Sequence, residues 1–233
     1  MSDLRATGRI AGFFYLLTFV AGFLQLAVAS RLIVHNDPAA TAANFLAHPA
    51  TVWFAFACDL GGVALYLVVT ALLYVILRPV DGTIALVAAF FSLAGCASQI
   101  VSAAFHAAPL AILTTPMTGM TAPQLHDLAF TALKLYGLIY DSGLVFFGVY
   151  CILIGVLIAR STMFPKIVGG LMVFAGAGWL TFLWPPLAAA LDPYILLPGL
   201  IGEGTLTVWL LVKSVPAQAS PSAVRFDADR LLR

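Results

Sequence analysis

Apolar positions along this chain run in unbroken blocks rather than alternating with polar ones. Each block is at least about 18 residues long, the length at which a helix can cross a bilayer, and short polar breaks separate the blocks. They predict six membrane-spanning helices, at about residues 10–30, 52–77, 83–113, 133–159, 167–184 and 194–212.

The breaks carry helix-boundary chemistry. Asp37-Pro38 offers an N-cap followed by proline at the first helical position, which predicts a short surface helix over 38–47, stopped by His48-Pro49. Arg78-Pro79 ends the second block, and Asp81-Gly82 predicts a tight turn that folds the third span back antiparallel. The longest break, 114–131, holds Thr121 and Gln124 at capping-box spacing. It predicts a short helix that bends into the fourth span at Lys134. A polar turn from Ser161 to Lys166 precedes the fifth span, and Pro185-Pro186 stops it. Residues 214–233 are polar, with Pro216 and Pro221, and predict a disordered tail. Arg5 and Arg9 stand before the first block, and Ala27-Val28-Ala29 resembles a signal-peptidase site. The apolar run exceeds the 7–15 residues of a signal core, so the block is expected to stay as the first span; cleavage would leave five.

Composition agrees: 62% of the 233 residues are hydrophobic and 9% charged, against about 25% charged in soluble domains. The fold class is all-α, an integral membrane bundle of six transmembrane helices in one domain over 1–213, with no room for a soluble catalytic domain. A net charge of +1 gives no electrostatic footprint for nucleic acid. Arg5, Arg9, Arg78, Arg160, Lys166, Lys213, Arg225, Arg230 and Arg233 fall on one side, and only Arg31 and Lys134 on the other. This bias places both termini in the cytoplasm. Trp53, Trp184 and Tyr194 fall near the outer boundaries, where an aromatic belt sits. Cys58, Cys96 and Cys151 lie in separate apolar runs and read as small core residues, not as a disulfide framework or metal knuckle.

Four ionisable residues fall within spans: Asp59, His106, Asp141 and Glu203. A charge at a helix centre costs about 2.5–3.5 kcal/mol on insertion scales, so each calls for a partner. Counted from the outer end of its own helix, each lies roughly 10–14 Å deep, which predicts one polar layer in the outer half. Gln25, Gln99 and Tyr140 add polar groups near that level, and Lys134 shares a helix face with Asp141. Gly61, Gly62, Gly143, Gly202 and Gly204 flank the carboxylates and permit close helix approach. Pro198, ahead of Glu203, permits a bend.

Three readings of this layer stand open. It is an outer-facing pocket that binds or moves a small solute, lipid or proton, with Asp141 and Glu203 as apposed acceptors that share protons. Or it is a structural clamp, with Tyr66, Tyr136 and Tyr140 as partners. Or the same four residues hold a metal in a membrane hydrolase, although no HExxH or paired-His spacing supports that. No Walker loop, GxSxG or dinucleotide fingerprint is present, so no cofactor is expected and no catalytic residue is assigned. The expected partners are the lipid bilayer and a small-molecule or lipid ligand. His35, His48 and His126 are expected in solvated outer loops.

Two further patterns concern packing. Asp59-Leu60-Gly61 followed by Arg78, and Asp141-Ser142-Gly143 followed by Arg160, predict a weak internal repeat relating spans two–three to spans four–five. Arg9-Ile10-Ala11-Gly12 and Lys166-Ile167-Val168-Gly169 open two spans alike, reading as an interface anchor with a packing glycine.

The Arg9–Gly12 opening, the segment Leu72-Leu73-Tyr74-Val75-Ile76-Leu77-Arg78-Pro79-Val80, the run Phe146 to Leu180 with Ser161-Thr162-Met163-Phe164-Pro165-Lys166 inside it, and the final span with Pro198, Glu203 and Trp209-Leu210-Leu211-Val212-Lys213 occur in a familiar order. Over about Arg9 to Lys213 the chain resembles the bacterial multi-pass membrane family called domain of unknown function 4386. The resemblance implies a six-span protein of the bacterial plasma membrane without an established activity, and it transfers no catalytic residue. Glu203-Gly204 stands where the family pattern has Glu-Leu, a departure that touches packing beside the carboxylate.

Overall fold

The computed structural model describes residues 4–115 and 117–213; the tail over 214–233 lies outside them. The elements in order are α1 (Leu4–Leu32), α2 (Pro38–Ala47), α3 (Pro49–Leu77), α4 (Gly82–Thr114), α5 (Ala122–Arg160), α6 (Lys166–Leu180), α7 (Pro185–Leu191) and α8 (Leu197–Val212). Single 3-10 turns, Thr181–Leu183 and Tyr194–Leu196, extend α6 and precede α8. No strand occurs among the described residues. Six segments are long and apolar enough to cross a membrane: α1, α3, α4, α5, α6 with its turn, and α8 with its turn. The protein is an all-α integral membrane bundle.

Local capping chemistry sets several boundaries. Asp37 accepts a hydrogen bond from the Ala40 amide and starts α2 at Pro38. Thr121 and Gln124 form a complete capping box at the start of α5. Asp81 makes no separate tight turn with Gly82; it is the N-cap of α4, accepting from the Thr83 and Ile84 amides. Pro198 does not bend a helix either, because it occupies the first turn of α8, where its missing N–H costs nothing. The expected bend at Lys134 is absent. From Ala122 to Arg160, α5 is one helix of 39 residues, roughly 58 Å at 1.5 Å per residue. No glycine or proline interrupts it between Pro123 and Gly137, and α2 packs along its projecting end. His126 accordingly lies in that helix rather than in a loop.

The six spans close a ring in chain order: α1 packs on α3, α3 on α4, α4 on α5, α5 on α6, α6 on α8, and α8 back on α1. The ring interior has three levels. At the end bearing Arg78, Arg160 and Lys166 it is a packed apolar core that includes Leu73, Ile76, Leu77, Ile154, Leu157, Met172, Leu206 and Leu210. At the opposite end, α2 inserts Phe45 into a second cluster with Leu32, Val52, Leu110 and Leu133. Between the two lies the polar region described below.

Close helix approach is concentrated on α5, α6 and α8. A Cβ at Gly155 would lie 2.6 Å from the Gly169 carbonyl oxygen, and one at Gly176 2.5 Å from that of Gly148. Gly12 meets Leu210 and Leu211 of α8 in the same way, so both Ile-x-Gly openings place packing glycines. Of the five glycines beside the carboxylates, only Gly143 and Gly202 are tight; a Cβ at Gly61 or Gly204 meets nothing within 4 Å. The two Asp-x-Gly segments of the expected repeat therefore sit in different surroundings.

Candidate functional site

Glu203 lies on α8 and is 7% exposed. Neutral donors from four other helices converge on its carboxylate, the Cys151 thiol of α5 among them. Tyr15 Oη of α1 donates to Oε2 at 2.6 Å and Tyr66 Oη of α3 to the same oxygen at 3.3 Å. Trp179 Nε1 of α6 donates to Oε1 at 2.8 Å. The two phenol rings meet edge to face at 5.6 Å, and Phe147 packs edge-on against Tyr66 at 4.8 Å. The Trp179 ring in turn rests on Gly199, where an added Cβ would overlap it. This glycine sets the indole at the distance that reaches Glu203.

A second polar group lies nearer the α2 end. Asp59 Oδ2 of α3 and His106 Nδ1 of α4 are 2.5 Å apart. His106 is 1% exposed, its ring stacks on Tyr136 of α5 at 4.5 Å, and its Nε2 has no partner among the described residues. Gln25 Nε2 of α1 donates to Tyr136 Oη at 2.8 Å. Gln99 is used along the α4–α5 seam, where its Nε2 donates to the Tyr140 carbonyl at 3.2 Å. Ser98 and Ser102 donate to the Ile139 and Tyr136 carbonyls, both at 2.8 Å.

A cavity of about 470 Å³ lies between the two groups and is lined from all six spans. Among the expected residues, Gln25, Asp59, Gln99, Tyr140 and Glu203 line it, and His106 stands behind Asp59. Asp141 does not line it. The face that α5 presents is Tyr136, Tyr140, Leu144 and Phe147, at successive helical-turn spacings. Asp141 lies one residue past Tyr140, about 100° around the helix. It is therefore not apposed to Glu203. Nor does Lys134 reach down to Asp141; its ammonium sits over the Phe130 ring, 5.3 Å from the centroid.

The single layer expected from helix counting is also corrected, since Glu203 shares its level with Tyr15 and Tyr66. Tyr66 lies seven residues beyond Asp59 on α3, roughly 10 Å along the axis. The count failed because α8 has only 16 residues against the 39 of α5, so its end lies deeper than the ends from which the others were counted. Tyr15 and Trp179 were not anticipated as partners. Their signal was present: each is a polar aromatic within a span, away from the interfacial belt where such rings usually sit.

The four ionisable residues do not gather around a common point, and the described residues contain no group of three or more His, Cys, Asp or Glu that could hold a metal ion. Cys58 and Cys96 face the cavity; these two and Cys151 are free thiols.

Residues 10–214 match the family model described as "Domain of unknown function (DUF4386)". The chain belongs to this family. It is also similar to an "Uncharacterized protein" of Archaeoglobus fulgidus, 28% identical over 154 residues that cover 62% of this chain and 74% of the relative. No solved structure matches the chain. The family description carries no activity, so roles for DUF4386 residues in this chain rest on the geometry above.

Proposed function

We propose that this protein binds a small membrane-soluble molecule in the cavity at the centre of its helix ring. The observation that carries this reading is the cavity itself. Its volume falls within the roughly 300–1,000 Å³ usual for ligand sites, every span contributes to it, and its walls are apolar with polar groups at two levels. A clamp needs only the polar contacts; it does not need the space between them.

The way in is lateral. The packed core closes one end of the ring and the α2 cluster closes the other. Four lining residues, Phe23 and Leu26 of α1 and Leu196 and Leu200 of the α8 end, are exposed on the outer wall. An aperture framed by exposed phenylalanine and leucine at membrane depth admits molecules already dissolved in lipid. The packed core at the Arg78 end of the ring favours binding, with release to the same leaflet, over a conducting pore.

For orientation, the basic end of the ring faces the cytoplasm of a plasma membrane, with both termini on that side. Arg160 Nη1, 3.8 Å from Asp81 Oδ2, ties the α5 end to the α3–α4 connection there. A reporter fused after Lys213 is expected to register as cytoplasmic; an external signal would invert the cavity's placement.

Gly62 provides the test of binding. It lines the cavity, and a Cβ there meets only the Ala21 Cβ, at 3.6 Å. Gly62→Phe should fill the space without disturbing the ring. Mass spectrometry of organic extracts from gently purified protein is expected to find a molecule near one per chain in wild type and absent from the variant. Equal extracts from two equally folded proteins would sink the binding reading in favour of the clamp.

A further inference from the structure

The cavity selects by charge as well as by polarity. Its lining includes two carboxylates, Asp59 and Glu203, and no lysine or arginine. Buried charges are ordinarily paired, because removing an ion from water costs several kcal/mol even after relaxation. Asp59 has the His106 imidazole as its hydrogen-bond partner. Glu203 has no such basic partner: among the described residues no Lys, Arg or His lies within ion-pair distance of it, and the groups that bond it are two phenols, an indole and the Cys151 thiol, all neutral.

The walls around this carboxylate point the same way. Tyr15, Tyr66, Phe147 and Trp179 surround the Glu203 end, with Tyr136 and Tyr140 at the other. Aromatic faces carry negative quadrupole potential and attract cations, most strongly where water is excluded, and such rings are the usual receptors of quaternary ammonium groups. A carboxylate and several aromatic rings lining one largely apolar space suit a positive charge carried by an apolar body. They suit an inorganic cation poorly, since hard ions demand a shell of six or more oxygens.

We infer that the molecule held in this cavity is a hydrophobic organic cation, an ammonium or equivalent group with an apolar or aromatic body, whose charge lies beside Glu203 among Tyr15, Tyr66, Phe147 and Trp179. The inference rests on the cavity-binding reading above and adds the sign of the charge and its location. The cation reaches the site through the Phe23–Leu200 aperture and supplies the counter-charge that the chain withholds from Glu203.

The test uses two ions of matched shape and opposite sign, tritiated tetraphenylphosphonium and tetraphenylborate. Each is titrated onto full-length protein in lipid nanodiscs, with empty nanodiscs subtracted for partitioning into lipid. The expected result is saturable binding of the phosphonium at one per chain, at least tenfold tighter than the borate, abolished in Gly62→Phe and weakened at least tenfold in Glu203→Gln. The contrast between the two ions in wild type needs no variant, so it decides the question even if Glu203→Gln does not fold. Equal binding of both ions, lost together in Gly62→Phe, overturns the cation inference and leaves the cavity reading standing. The cation inference fails in the same way if phosphonium binding is unchanged in a folded Glu203→Gln, or if neither ion binds while the extracts still yield a cavity molecule. If neither ion binds saturably and the extracts of wild type and Gly62→Phe also agree, both fail.

Discussion

Gly155→Leu is expected to prevent recovery of folded protein. At this position α5 and α6 touch backbone to backbone, with a Cβ 2.6 Å from the Gly169 oxygen and 2.8 Å from the Val173 Cγ2. A leucine has no free volume to enter, and the obstacle is main chain, which cannot rotate aside. Small residues at helix contacts are what allow such approach in a bilayer, where packing rather than hydrophobic exclusion drives association. Overpacking in ordinary cores costs about 1–3 kcal/mol because side chains can adjust; against backbone the cost should exceed the upper end of that range. Separating α5 from α6 would also displace Trp179 and open the ring. The matched control is Gly61→Leu, whose Cβ meets nothing within 4 Å. Fluorescence-detected size-exclusion chromatography after a thermal ramp should show the first variant aggregated and the second eluting as wild type. Equal behaviour of the two would mean that the α5–α6 contact is looser than described.

Glu203→Leu is expected to be the most destabilising change at the polar site. It leaves the Tyr15 and Tyr66 hydroxyls and the Trp179 indole without their acceptor. A buried group left unsatisfied costs about 1–3 kcal/mol; the two phenol hydroxyls are buried and 3.5 Å apart, and the indole is half-buried, so the loss should exceed that of any single bond. Glu203→Gln keeps one acceptor oxygen and most of the shape, and its loss should be smaller. Tyr15→Phe removes one bond while Tyr66 and Trp179 continue to hold the carboxylate, for about 0.6–1.7 kcal/mol. Melting temperatures in one detergent should therefore fall in the order wild type, Tyr15→Phe, Glu203→Gln, Glu203→Leu. A leucine variant as stable as wild type would show that Glu203 does not join the four helices. This series also divides the clamp from the binding site. A clamp loses stability alone, whereas a binding site shows a glutamine variant that folds and no longer holds its ligand.

The apolar blocks, Asp37-Pro38 and the Thr121–Gln124 box were legible in sequence because membrane crossing and capping depend on residues adjacent in the chain. The presence of buried ionisable groups on separate spans was legible for the same reason. Which of them share a space was not. That depends on how each helix is rotated in the ring and how far it extends, and both are set by contacts distant in sequence. One residue of rotation, about 100°, separates Tyr140, which faces the cavity, from Asp141, which does not. The shortness of α8 places Glu203 beside Tyr15 and Tyr66 rather than level with Asp59. The sequence alone thus determined a six-span membrane bundle with costly polar groups inside it. Only ring closure, fixed by the glycine contacts of α5, α6 and α8, decided which of those groups face one another across a cavity.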